Sequence, residues 1–597
     1  MNVNERISAL RAEMKNRGID IYLIPTSDFH ESEYVGEYFK VRQFITGFTG
    51  SAGTAIVTLT ESGLWTDGRY YVQAAKQLES EEVTLYRAGE EGVITPLEFI
   101  RKKLPEGGKL GFDGRVVNTA FAKQLESIVA EKQGSLAIKE DLVDIIWTDR
   151  PELPKNKIWI LEEKYAGEST KSKVDRIRKE MSRQGARLHI ISSLYDIAWI
   201  LNIRGNDILH VPVVLSFLII SEKNIDLFLH EEVLDQETRN YLERNGVRIF
   251  EYETIYETMA SLPPAVSILM DEHLVNYRIV KELNEKIQIV SDTNPSEKMK
   301  AIKNEIELQN TRVAHVKDGV AVTKFMYWLK TNIGKIPMTE YSAGLYLDQL
   351  RSEQEHFIDL SFENICAYGS NAAMMHYQAH EEQTAELRPE GFFLVDSGGH
   401  YCEGTTDITR TFVLGAVTEE QKKLFTATCI GNMNLANAKF LHGCTGLNLD
   451  ILCRGELWKY GIDYRCGTGH GVGHILNVHE GPNGFRWKVV PERKDNGILE
   501  PGMITTDEPG VYVDGSFGIR IENELICKKD EKNEYGQFLS FENITYAPID
   551  LDGIDVSLMS QAQREELNQY HRMVFEKVSP YLTEEETEWL KLYTRAI

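Results

Sequence analysis

One stretch near the N-terminus is written twice. Residues 6–24 (RISALRAEMKNRGIDIYLI) align without a gap with residues 173–191 (KVDRIRKEMSRQGARLHII), an offset of 167. Arg11, Glu13, Met14, Gly18 and Ile24 match Arg178, Glu180, Met181, Gly185 and Ile191. Both copies carry apolar residues at helical spacing, Ile7, Leu10 and Met14 in one and Val174, Ile177 and Met181 in the other. In both a glycine stands where a helix needs a left-handed C-cap, and an apolar strand follows directly. Further on, Phe44-Ile45-Thr46-Gly47 resembles Trp199-Ile200-Leu201-Asn202. A helix–glycine–strand order repeated in one register implies a duplicated α/β domain.

The duplication sets the boundaries. A chain of 597 residues has room for about four domains of ~150 residues, or three if one is large. Trp147 to Pro154 carries two prolines and no periodicity and reads as a linker. A second boundary lies near Asn294-Pro295, so the expected domains are 1–153, 154–298 and 299–597. Residues 296–330 read as one long amphipathic helix, or two, with Ile306, Val313, Val316 and Val320 on the apolar side. The rest mixes strands and helices and is long enough for its own core.

Net charge is −25, a field that repels phosphate backbones, so no nucleic-acid partner is expected. The most apolar run, Val211 to Ile220, is about half of what a membrane helix needs. The N-terminal residues show no apolar signal core. All seven cysteines fall between Cys366 and Cys527, which is not the layout of a secreted disulfide framework. The expectation is a soluble cytoplasmic protein with reduced thiols and no membrane contact.

The last domain holds a carboxylate series. An apolar strand, FFLVDSG, ends in Asp396, and after a Gly398-Gly399 turn the strand TTDITRTFV carries Asp407. Alternation puts Asp407, Thr409 and Thr411 on one face, and two strands joined by a tight turn bring the two aspartates side by side. Two ionised carboxylates that close need a proton or a cation between them. His470 follows between glycines in Gly467-Thr-Gly-His-Gly-Val-Gly473, which let backbone approach a bound group closely. A Pro-Gly turn then feeds ITTDEP, which delivers Glu508, and FGIRIEN places Arg520, Glu522 and Glu524 on one strand face. Asp396, Asp407, His470, Glu508 and Glu522 together carry four negative charges. Two divalent cations would neutralise them. Oxygen-rich ligation suits Mn²⁺, Mg²⁺ or Co²⁺, with Zn²⁺ also open.

The order VDSGGHYCEGTTDITRT, GTGHGVGHILNVHEGP, EPGMITTDEPGVYV and FGIRIENEL resembles the M24 "pita-bread" metallopeptidases. Within them it resembles the large, three-domain form of aminopeptidase P (Xaa-Pro aminopeptidase). HESEYVGEYFKVRQFITGFTGSAGTAIV and GLWTDGRYYVQAAKQ are similar to the same subfamily, and the likeness spans essentially the whole chain. It implies an α/β (α+β) architecture, with two duplicated creatinase-type domains followed by a pita-bread catalytic domain.

The resemblance also implies an activity: removal of the N-terminal residue from peptides with proline in second place, by a hydroxide held between two metal ions, usually Mn²⁺, with Co²⁺ or Zn²⁺ possible. Asp396, Asp407, His470, Glu508 and Glu522 match the metal ligands, and Glu508 matches the group that takes and passes the water proton. His376, in Ala-Met-Met-His-Tyr, and His479, in Asn-Val-His-Glu-Gly-Pro, match imidazoles that stabilise the tetrahedral intermediate and place the prolyl residue. Arg520, two residues before Glu522 on the same strand face, is expected to orient carboxylate ligands. Glu33 and Arg69 match residues near the mouth of the site. Family habit implies a homodimer; the C-terminal Trp589, Leu590, Leu592 and Tyr593 form a helical pattern that either packs on the domain or supports one. One departure stands out: the family pattern HGTGHG appears here as Cys466-Gly-Thr-Gly-His470-Gly. The rival readings are a prolidase, the same chemistry confined to dipeptides, and a non-catalytic pita-bread binding protein. Relatives of that last kind typically lose metal ligands, and all five are present here.

Overall fold

In a computed structural model the described residues are 1–79, 81–490 and 494–597. They form two compact units, Met1–Leu161 with Glu168–Ser296, and Glu162–Gly167 with Glu297–Ile597.

The first unit is built twice over. One six-stranded sheet runs in the order Thr84–Arg87, Ser62–Thr66, Thr54–Thr58, Ile21–Pro25, Lys109–Gly111, Ser135–Ala137. The other runs Val247–Glu251, Ile225–Leu229, Phe217–Ser221, Leu188–Ile191, Ser267–Met270, Gln288–Ser291. Strand directions match position for position: parallel, antiparallel, antiparallel, parallel, parallel. Helices Val3–Asn16 and Thr170–Arg183 bury the expected stripes against these sheets. Both chains then turn through a left-handed glycine, Gly18 at φ +62° and Gly185 at φ +72°, a conformation without steric penalty only for glycine. The second matching pair also holds. Helix Val41–Thr46 stops at left-handed Gly47 and helix Leu194–Leu201 at left-handed Asn202. Asn202 accepts a hydrogen bond from the buried Lys173 ammonium at 2.6 Å. The copies meet through equivalent segments: Thr119 N–H donates to Val275 O (2.9 Å) and Tyr277 N–H to Val117 O (2.8 Å). These bonds flank Asn118 and Asn276, each the N-cap of the helix that follows. Arg69 in this unit is paired with Asp67 at 2.8 Å.

The second unit packs long helices over β-layers. Its six-stranded sheet runs Lys439–Leu441, Gly536–Asn543, Asn523–Asn533, Ile504–Asp507, Gly469–Gly471, Glu480–Phe485. Beside it lie a three-stranded sheet, Ile365–Tyr368, Phe392–Ser397, Ile408–Val413, and a hairpin, Gly510–Val513 with Phe517–Arg520. The C-terminal helix Glu584–Tyr593 packs on this same unit: Leu590 is buried and the Trp589 ring lies 5.6 Å from Tyr327. Leu592 faces outward. No helix among the described residues is long and apolar enough to cross a membrane, and all seven cysteines are free thiols.

Of the two readings left open for the segment after Pro295, the structure shows two helices, Pro295–Ala301 and Glu305–Asn332, and two other expectations need correction. They are divided at Asn304, whose side chain caps the second helix while Glu307 returns a bond to its backbone. The buried face of that helix is only partly the one expected: Val320 is buried and Val316 packs against the same core. Ile306 and Val313 are 42% and 46% exposed, whereas Glu307, His315 and Asp318 are buried with Leu308, Ala314, Val322 and Phe325. Hydropathy assigns charged residues to water, but here Asp318 is neutralised by Arg351 at 2.6 Å and His315 faces Glu524 at 3.1 Å. Finally, Asp396 and Asp407 are not joined by a tight turn. The intervening chain leaves the sheet as a small hairpin, Gly399–Tyr401 with Gly404–Thr405, that pairs with strand Phe357–Leu360.

Candidate metal centre

Antiparallel pairing of Phe392–Ser397 with Ile408–Val413 sets Asp396 directly opposite Thr409, and Asp407 stands immediately before that second strand. Thr409 and Thr411 face as the alternation requires: Thr409 donates to Glu522 Oε2 at 2.6 Å and Thr411 to the Arg520 carbonyl at 2.9 Å. Glu522 N–H donates to Thr409 O at 3.1 Å. Glu522 thus lies in the break between strands Phe517–Arg520 and Asn523–Asn533, held from both its ends.

His470 comes from the six-stranded sheet. The run around it is a short strand rather than an open loop, and its glycines serve the neighbouring strands. A Cβ at Gly469 would stand 1.8 Å from Thr506 O, and one at Gly471 2.1 Å from Glu480 O. This corrects the expected role of these glycines: the close approach is of backbone to backbone. His470 Nδ1 lies 2.9 Å from Gly471 O, so Nδ1 carries the proton and Nε2 presents its lone pair. That Nε2 is 3.4 Å from Asp407 Oδ2 and 3.6 Å from Glu508 Oε1. Glu508 is fixed by its own N–H donating to Thr468 O at 2.7 Å and by the Thr506 hydroxyl at 3.3 Å.

Three of the expected donors cluster, Glu508 stands 3.6 Å from one of them, and Asp396 acts on the two buried acids. Ligand atoms of Asp407, His470 and Glu522 lie within 4.8 Å of one another. Burial pushes the Asp407 carboxyl well above the usual carboxylate range, reinforced by Asp396, Glu508 and Glu524. Burial does the same to Glu522, reinforced by Asp407, Asp396 and Glu508. Asp396 Oδ1 is buried without a hydrogen-bond partner. Acids that repel one another, a buried orphan oxygen and an imidazole nitrogen turned toward them fit divalent cations.

Arg520 stands where expected. One of its terminal nitrogens lies 2.5 Å from Asp396 Oδ2, the other donates to Tyr512 OH at 2.8 Å, and Nε donates to Thr409 Oγ1 at 3.1 Å. The half-buried His479 ring meets His470 edge to face, centroids 4.3 Å apart. His376 is half-buried in an irregular loop after Gly369–Ala373. That loop is gathered by Glu340, which is fully buried and accepts from Tyr368 N–H (2.6 Å), Asn371 Nδ2 (3.0 Å), Tyr377 OH (2.9 Å) and Ala385 N–H (2.8 Å).

Several residues of this environment are invisible in the one-dimensional reading. Glu524 accepts the Asp407 N–H at 2.8 Å and faces His315 with its other oxygen. Buried Arg454 pairs with Asp450 at 2.7 Å and donates to the carbonyls of Tyr464 and Cys466, fixing the segment that leads to His470. Only Glu524 left a trace, its place on the Arg520–Glu522 face. The Cys466 thiol is pushed up to about 11 by burial and by Glu508, so it stays protonated at neutral pH.

Strand-borne acids gathered at the His470 imidazole fit a metal centre of the kind that serves hydrolysis. Residues 309–529 match metallopeptidase family M24 and 537–597 the C-terminal region of peptidase M24, while 6–142 and 149–307 each match the creatinase/prolidase N-terminal domain. The chain is 37% identical to "Probable Xaa-Pro aminopeptidase P" of Coprinopsis cinerea, covering 100% of this chain and 99% of that one. It is 38% identical to the protein of the same name from Talaromyces marneffei, over 100% and 93%. It superposes on the X-prolyl aminopeptidase of Caenorhabditis elegans, described as a cytosolic enzyme with a di-nuclear active site, with TM-score 0.94, 33% identity and complete coverage of both chains. The chain belongs to metallopeptidase family M24 and, within it, to the aminopeptidase P family. It has that family's plan: two creatinase-type N-terminal domains and a pita-bread peptidase domain.

Proposed function

We propose that this peptidase removes the N-terminal residue from peptides whose second residue is proline. The observation that carries the reading is the cluster of Asp407, His470 and Glu522, with Glu508 3.6 Å from His470 and Asp396 acting on both buried acids, in a chain related to aminopeptidases P over its whole length. These five residues would hold two divalent cations, Mn²⁺ in our reading, with Co²⁺ or Zn²⁺ able to substitute. Bound there, they would supply Lewis acidity and a water ionisable near neutral pH.

The chain's own groups account for the remaining chemistry. Glu508 is the proton carrier, because its side chain is 22% accessible against 6% for Asp407, so it alone of that pair reaches arriving water and a departing prolyl nitrogen. His479, beside His470, donates to the developing oxyanion, and His376 seats the prolyl residue. Arg520 spends one nitrogen on Asp396, which orients that carboxylate. The substrate's free amine is bound within the acidic cluster, which limits the enzyme to chain ends. Cys466 occupies the family's histidine position with a neutral thiol, a weak donor. Cys466→His is expected to preserve or raise kcat, and a large loss in that variant overturns the assignment of this position.

Hydrolysis of Xaa-Pro-Yaa tripeptides against Xaa-Pro dipeptides tests the substrate: cleavage confined to dipeptides would make the enzyme a prolidase. We further propose domains 1–153, 154–298 and 299–597, a cytoplasmic setting, and a homodimer. The homodimer is supported by an apolar strip of exposed Leu447, Ile451 and Trp458 on one helix, with exposed Trp487 beside it. Ile451→Glu should shift the light-scattering mass to that of a single chain.

A further inference from the structure

Glu480 follows His479 in the chain and opens the strand Glu480–Phe485, pairing with Gly471. The chain between Gly471 and Glu480 has no helix or strand. His479 is the last residue of that irregular stretch; its carbonyl accepts from Asn477 Nδ2 at 2.9 Å, and its backbone runs directly into Glu480. Glu480 is held from a distant part of the sequence. Its Oε1 receives the Lys303 ammonium in a short contact, and Lys300 Nζ stands 3.7 Å from Oε2. The Lys303 and Glu480 side chains are only 1% and 5% exposed.

Lys303 is itself rigidly based. It lies between two helices, immediately before Asn304, whose capping box fixes the backbone there. Its N–H donates to Gly502 O at 3.0 Å. Gly502 takes φ +96°, and a Cβ there would lie 2.8 Å from Lys303 O, so no other residue lets the two backbones come so close. From Gly502 the chain enters strand Ile504–Asp507, and Glu508 follows directly. One lysine thus ties by its backbone the segment that delivers Glu508, and by its ammonium the residue next to His479.

We propose that Lys303 and Glu480 form a clamp that positions His479 against His470 for the reaction. The proposal rests on the catalytic reading of His479 given above. Two paired charges that both lie in the interior are not needed for stability as such, since well-packed apolar residues of like volume can replace such a pair without loss. The clamp's contribution is geometric, and misplacing one catalytic group is enough to slow an enzyme by one or two orders of magnitude.

The test compares Lys303→Met, Glu480→Gln, the double variant Lys303→Met/Glu480→Met, and His479→Ala. Each is measured for kcat and KM on an Xaa-Pro-Yaa tripeptide, metal content and melting temperature. The expected result is a roughly tenfold lower kcat in both single variants, with KM within about twofold and metal content unchanged. The double variant should recover the melting temperature without recovering kcat, and it stands in for any single variant that fails to fold. Adding Lys303→Met to His479→Ala should lower kcat no further, because the two changes act on one element. Recovery of kcat together with melting temperature in the double variant, or full additivity with His479→Ala, would show a purely structural pair and overturn the clamp. If His479→Ala lowers kcat and the clamp variants do not, the clamp fails while the role of His479 stands; if His479→Ala has no effect, both fall.

Discussion

Asp407→Asn should lower kcat on Xaa-Pro-Yaa peptides by at least ~10²-fold and leave the purified protein short of its full metal complement. Asp407 is the most connected of the acids. Its Oδ2 faces His470, its backbone is fixed by Glu524, and its charge is opposed by Asp396 and Glu508. The amide keeps the shape but removes the anion, and a neutral oxygen is a poorer ligand for a hard cation than a carboxylate. The same substitution relieves a buried like-charge cluster. The chelated variant should therefore melt higher than the chelated parent, while the metal-loaded variant melts lower than the loaded parent. Turnover, elemental analysis and thermal melts with and without chelator check this together. Parental turnover with full metal in the variant would remove Asp407 from the centre, and full activity of the parent after exhaustive chelation would end the metal mechanism altogether.

Metal removal should destabilise the protein more at pH 8 than at pH 5.5. Asp407 and Glu522 have folded-state pKa values raised above those of the unfolded chain, first by burial and then by neighbouring acids, Asp396 and Glu508 acting on both. Between the ordinary carboxylate range and the raised values, the metal-free folded chain binds more protons than the unfolded chain. Stability contributed by those protons is complete at low pH and is lost as pH rises through the folded-state values. Cations replace the protons and keep the acids ionised, so the loaded protein escapes this loss. Each site filled at a thousandfold excess over its Kd adds ~4 kcal/mol. The gap in melting temperature between loaded and chelated protein is thus expected to widen across this range, and metal affinity to strengthen with it, because binding displaces protons. A constant or narrowing gap would mean that these carboxylates do not share the cations.

What local order can encode was readable beforehand. Ile7, Leu10 and Met14 announce a helix by their spacing, Gly18 ends it because only its φ is free, and the recurrence of both at residues 174–185 revealed the duplication seen in two identical sheet topologies. The clustered Asp407, His470 and Glu522 were legible in the sequence for a similar reason: each sits at a strand end or beside glycine or proline, where a polar group interrupts an apolar run. The partners of those donors were not. Glu524 and His315 meet across about two hundred residues, Arg454 reaches the carbonyl of Cys466 from a neighbouring helix, and Glu340 collects four donors from a loop it does not belong to. The partly misplaced face of helix Glu305–Asn332 has the same origin, since a buried charge is affordable only when its counter-charge arrives from elsewhere in the fold. Sequence alone determined the repeat, the elements and the identity of the acids, because these depend on residues within one or two turns or strands. Which charges may leave water, and which way each ring and carboxylate faces, only the tertiary structure decided, because Coulomb energy in a dry interior depends on distances between groups far apart in the chain.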